Sequence, residues 1–206
     1  MKDQYQDILK SIKKFKRICS KKYRFLPVTK EADLISFENK FNVKLPDDYR
    51  WFLLNVANGI VNRNEWDFNF IEKVDFKKFW HKENEFNPAI PFNLDKKVKC
   101  YNDENEDDDY PYEIIINEDL EYFTDCTNGQ ISILETGCGG SDFIVVNGKE
   151  YGNIWIDNYS SMAEMFPYYS LKENKKRLNF TDWLLINIEN EIQNQNEEKK
   201  WWQFWK

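Results

Sequence analysis

The chain has 206 residues, 41% of them hydrophobic and 17% aromatic, so a single packed core is within reach without disulfides or a structural metal. Net charge is −7, and the low mean hydropathy of −0.77 reflects abundant Asn, Lys and Glu over that core. These values exclude a fibrous or intrinsically disordered chain, and no stretch approaches the ~18 apolar residues of a spanning helix.

The charge is polarised. Residues 1–30 carry ten Lys/Arg against two acids, whereas residues 103–125 carry eleven Asp/Glu and no Lys or Arg. The first residues, Met1 to Asp7, lack the apolar core of a secretory signal, and the four cysteines (Cys19, Cys100, Cys126, Cys138) form no CxxC pair. Reduced, mostly buried thiols and a cytoplasmic location are expected.

In chain order, Tyr5, Ile8, Leu9, Ile12, Phe15 and Cys19 recur at helical steps with lysines between them, predicting an amphipathic helix over 4–20. Thr29 is a candidate cap for a second helix with Leu34, Ile35, Phe37 and Phe41 on its apolar face. A third helix is predicted to start around Pro46, with Asp47 and Asp48 favouring its N-terminal dipole and Asn58-Gly59 closing it, Gly59 at φ > 0. Alternation at Trp66, Phe68 and Phe70 predicts a strand. So do the apolar runs Ile114–Ile116, Ile131–Leu134, Phe143–Val146 and Asn153–Ile156, with Asn128-Gly129, Gly137–Gly140 and Asn147-Gly148 as turns. Phe180, Trp183, Leu184, Ile188 and Ile192 predict a closing helix capped by Asn179 or Thr181, followed by a polar run and the aromatic end Trp201, Trp202, Trp205. Helices, then a run of strands, then a helix make the fold class α+β.

Several of these segments resemble the signature of the SUKH superfamily. They are Ile35-Ser36-Phe37-Glu38, Leu45-Pro46-Asp47-Asp48-Tyr49, Phe52-Leu53, Asn58-Gly59, Thr127 to Ile131, Ile144 to Gly148, Gly152 to Trp155 and Phe180 to Leu184. Their order and spacing cover about residues 30–190. The resemblance implies a single domain built on a strongly bent antiparallel sheet flanked by helices. It gives a SUKH-like domain over 29–192, a basic amphipathic helix extension over 1–28, and a polar, Trp-rich tail over 193–206. It also implies action by binding: the superfamily includes fungal Smi/Knr-type cell-wall regulators and bacterial immunity proteins paired with toxins, nucleases prominent among them. Most signature residues are apolar helix positions or turn glycines and read as fold-defining, Tyr49, Phe52 and Leu53 seating the third helix.

No catalytic set emerges from the residues. His81 is the only histidine; Gly137-Cys138-Gly139-Gly140-Ser141-Asp142 lacks the Gly-Lys-Ser/Thr of a phosphate loop; and Asp103-Glu104-Asn105-Glu106-Asp107-Asp108-Asp109 fails a calcium loop at its sixth and twelfth positions. No cofactor, metal or enzymatic activity is expected. The acidic segment reads either as a solvated loop or as a docking surface. In the second reading Asp103, Glu104, Glu106, Asp107, Asp108, Asp109, Tyr110, Tyr112, Glu118, Asp119 and Glu121 meet a partner, their carboxylates steering it and their aromatics anchoring it. The expected partner is a cognate toxin with a basic active-site surface, because an anionic patch can occupy a surface built for phosphates. The same charge argues against direct nucleic-acid binding by this face. Lys10, Lys13, Lys14, Lys16 and Arg17 read as a solvated helix face, and the Trp-rich end is short for a membrane anchor and is expected to pack on the domain. The alternative function is a scaffold or regulatory module like the fungal members.

Overall fold

The computed structural model describes residues 5–64, 67–79, 86–99, 114–116, 126–162, 164–170 and 176–204, with the side chains of 99, 114–116 and 199–204 left aside. Helix α1 (Gln6–Cys19) buries Ile8, Ile12, Phe15 and Cys19 as one stripe, while Leu9 stays outside. The i, i+4, i+7 spacing puts these four side chains on one face, which packs against the closing helix α5 (Phe180–Phe204). A short strand β1 (Tyr23–Phe25) follows and pairs antiparallel with β2 (Ile60–Asn62), Arg24 opposite Val61.

Between them lie α2 (Glu31–Phe41) and α3 (Asp47–Asn55). α2 buries Leu34, Phe37 and Phe41, but Ile35 turns to solvent. Its N-cap is Lys30, not Thr29: no side chain caps the helix, and Thr29 instead donates its backbone N–H to Leu53 O at 2.8 Å. Pro46 is the N-cap of α3, and Tyr49 and Phe52 pack on the Phe180 ring of α5. Gly59 has φ +103°, as its place after the helix requires.

Residues 67–70 do not form the strand suggested by their alternation. Phe70 is buried at 7% exposure but Phe68 is 58% exposed, and the Asn69 side chain accepts the Asn62 backbone N–H that a ladder carbonyl would otherwise take. The segment touches β2 through an isolated bridge, Ile60 to Ile71.

The larger sheet has six strands in the order β4-β3-β8-β7-β6-β5. These are β3 (Lys97–Lys99), β4 (Ile114–Ile116), β5 (Gln130–Gly137), β6 (Gly140–Val145), β7 (Ile154–Asp157) and β8 (Glu164–Pro167). All neighbours are antiparallel except β3 and β4, which run parallel. A single turn, α4 (Tyr159–Met162), links β7 to β8. β5 and β6 join through Cys138-Gly139, both at positive φ (51° and 78°), which is the two-residue hairpin whose twist suits antiparallel strands.

Alternation along the strands sends side chains to two cores. Ile131, Ile133, Ile144 and Ile154 join the helices, while Phe143, Val145, Trp155, Met165 and Val98 pack with Phe92 and Cys126 on the other side. Both faces of β6 and β7 are therefore covered, which is why they read as continuous apolar runs. Asn179 caps α5 by accepting the Asp182 N–H at 2.8 Å.

Candidate functional site

Polar groups inside the fold are committed to one another. The Asp142 carboxylate on β6 accepts the Trp183 indole N–H at 2.7 Å, binding the sheet to α5. Burial pushes Asp142 up to about 6, with the Trp183 hydrogen bond opposing it. Lys97, fully buried, sits 2.8 Å from Glu164 of the neighbouring strand. Arg177 pairs with Glu150 and donates to the Asp95 carbonyl, between the Trp155 and Tyr169 rings. Glu150 also accepts from the Trp155 indole at 3.4 Å and from Asn153 at 3.1 Å. These contacts tie the sheet to α5 and β3 to β8.

Among the described residues no three His, Cys, Asp or Glu side chains converge as a metal site. Cys19 and Cys126 are buried and Cys138 is exposed at the β5–β6 hairpin tip; Cys100 and His81 lie outside the described residues. Among those residues no helix is long and apolar enough to cross a membrane.

The acidic segment singled out in the sequence lies outside the described residues. That holds for Asp103, Glu104, Glu106, Asp107, Asp108, Asp109, Tyr110, Tyr112, Glu118, Asp119 and Glu121 alike. What is described is its anchorage: β3 precedes it, and β4, the edge strand of the sheet, interrupts it. Of the basic helix, Lys10, Lys13, Lys14, Lys16 and Arg17 are all exposed; Lys10 pairs with Asp7, and Lys16 lies 4.2 Å from the Phe25 ring centre. The side chains of Trp201, Trp202 and Trp205 are outside the described residues.

Two concavities on the described surface have the makings of recognition sites. The smaller, about 330 Å³, is lined by Tyr5, Asp47, Asp48, Tyr151 and the start of α5. Tyr5 stacks on Trp51 at 4.1 Å, and burial and then the nearby Asp48 and Asp47 push its hydroxyl pKa up. Its acids are engaged, Asp47 with Lys44 at 2.9 Å and Asp48 with the backbone N–H groups of Tyr49 and Thr181. The larger, about 710 Å³, is a groove between the outward face of β1–β2, the entry to α2 and residues 73–77. Its walls are fixed: Asn58 grips Val74 through both backbone groups (2.9 and 3.3 Å), Asn58 N–H donates to Pro27 O, and Lys77 pairs with Asp33 at 3.4 Å. Sequence reasoning missed this groove because its residues, Arg24, Thr29, Lys30, Val61 and Lys73, come from separate segments and share no motif. Thr29 was visible only as a capping candidate.

The profile of the SMI1 / KNR4 family (SUKH-1) matches residues 28–185, and the chain belongs to that family. The match runs from the loop before α2 into the first turns of α5. Comparison with curated proteins and with solved structures finds no match.

Proposed function

We propose that this SMI1/KNR4-family chain is a non-catalytic, cytoplasmic immunity protein that neutralises a cognate toxin by binding it. The observation that carries the reading is membership of the family over residues 28–185, a family with bacterial immunity proteins among its members. The interior supports it, in that the buried carboxylates at 142, 150 and 164 are each held by a Trp, Arg or Lys partner. The toxin contacts are assigned to the acidic stretch around β4, at Asp103, Glu104, Glu106, Asp107, Asp108, Asp109, Tyr110, Tyr112, Glu118, Asp119 and Glu121. Eleven acids over 103–125 with tyrosines among them favour a cationic partner surface, such as the phosphate-binding face of a nuclease.

The test is co-expression with the product of the adjacent gene, scored by growth rescue and by co-purification. Rescue and a salt-sensitive one-to-one complex are expected. Reversing Asp107, Asp108 and Asp109 to Lys should weaken that complex by at least about tenfold. Rescue with unchanged binding by this variant sinks the acidic contact surface alone. Absence of both rescue and complex sinks the immunity reading.

A further inference from the structure

We infer that the groove beside the N-terminus of α2 receives a carboxylate side chain from a segment of a partner protein. This rests on the groove's own chemistry and not on the toxin reading. The groove's carboxylates are fixed in place, and those without a cation partner keep their charge. Asp33 is paired with Lys77, while Asp67 accepts from the Asn64 side chain at 2.9 Å and Asp75 accepts the backbone N–H groups of Lys77 and Lys78. Arg24, Lys30 and Lys73 line the same groove, and among the described residues they have no carboxylate partner.

Two further features point to an anion. Lys30 begins α2 without a side-chain cap, so the positive end of the helix dipole opens beside the groove. The acids of the first turn do not cancel it, because Glu31 is paired with Arg50 at 3.4 Å and Asp33 with Lys77. Thr29 lines the groove at 8% exposure, and its hydroxyl has no hydrogen-bond partner among the described residues. A buried hydroxyl left unpaired is costly, and a carboxylate oxygen is the acceptor that would satisfy it.

The anion is a protein carboxylate and not a nucleic-acid backbone. Three acids stand among the groove's four cations, and a chain with a charge on every unit would run against Asp67 and Asp75. Val28, Val61, Val74 and Phe76 supply apolar wall between the charges. That mixture suits one or two carboxylates flanked by aliphatic side chains, in a volume usual for ligand sites.

The experiment is an NMR titration of the isotopically labelled full chain with the peptide acetyl-Val-Glu-Val-Glu-Val-amide, beside the same peptide with Gln for Glu. Saturable shifts are expected at the amides of Arg24, Thr29, Lys30 and Lys73, with the Gln peptide at least about tenfold weaker. The exposed triple change Arg24→Gln, Lys30→Gln, Lys73→Gln should abolish the shifts while the rest of the spectrum stays unchanged, and Thr29→Val should weaken binding by several fold. Equal binding of both peptides, shifts away from the groove, no saturable shift, or preference for a short single-stranded oligonucleotide each overturn the inference.

Discussion

Asp142 gives the most direct test of how the interior is wired. Its carboxyl lies at 5% exposure and is pushed up from 3.8 to about 6, by burial first, while the 2.7 Å bond from the Trp183 indole partly offsets that cost. The folded pKa exceeds the unfolded one, so the folded state holds the proton more tightly and protonation stabilises it. Stability from this group is therefore greatest at low pH and is lost as pH rises from about 4 through 6. At about 1.4 kcal/mol per pKa unit, ionised Asp142 costs the fold about 3 kcal/mol at pH 7.5 and about 1 kcal/mol at pH 4.5. Asp142→Asn removes the charge and keeps an oxygen for Trp183, although its amide N–H2 adds a donor whose satisfaction costs a pH-independent amount. Urea unfolding of both proteins at the two pH values measures the difference in stability. Relative to the parent, the variant should gain about 2 kcal/mol between pH 4.5 and 7.5. A relative stability that is flat with pH, or that falls as pH rises, refutes the assignment of a proton-holding buried carboxyl at this position.

Trp183→Phe removes the donor and leaves the carboxylate unpaired, so it should destabilise at pH 7.5 by about 2–4 kcal/mol and lose less in the Asp142→Asn background; a double-mutant cycle in urea reads the coupling. Glu164→Ala removes the carboxylate 2.8 Å from the fully buried Lys97 and should cost about 3–5 kcal/mol, whereas Lys97→Met with Glu164→Leu should recover most of it; thermal unfolding of the single and double variants decides. Cys138→Asn should stabilise by about 0.5–1 kcal/mol, because Asn-Gly suits a turn with both central residues at positive φ better than Cys-Gly does. A fall in denaturation midpoint would show that the thiol makes a contact of its own.

The elements legible in the sequence are those whose burial follows a clean period. α1, α2, α3 and α5 were readable from apolar residues at three- and four-residue steps, and β5, β6 and β7 from runs between turn glycines. The strands that escaped notice are β1, β2, β3 and β8, of three or four residues each. β3 reads Lys-Val-Lys and β8 opens with Glu164, and the residues that look most solvent-facing, Lys97 and Glu164, are buried against each other. Pairing across strands distant in sequence is invisible to a local pattern. The reverse error arose at residues 67–70, where aromatic alternation imitated a strand but Asn62 and Asn69 side chains took over the backbone hydrogen bonds. The groove was illegible for a related reason: a site assembled from residues 24–33, 58–62 and 67–77 carries no signature at any one of them.

The distribution of partnered and unpartnered charge also constrains what kind of function the fold can have. Among the described core residues Glu150 is paired with Arg177 and Glu164 with Lys97, while the Asp142 carboxyl accepts from the neutral Trp183 indole. Matching of this kind fixes strand register and helix docking, since a slip of one residue would strand a buried charge at a cost of several kcal/mol. Charge without a partner is found instead at the surface, at Arg24, Lys30 and Lys73 of the groove, and the sequence concentrates the opposite sign on either side of edge strand β4. This division of charge supports the binding role proposed above. It predicts that core changes will move stability, and that changes at residues 24, 30, 73 and 107–109 will move affinity and leave stability almost untouched.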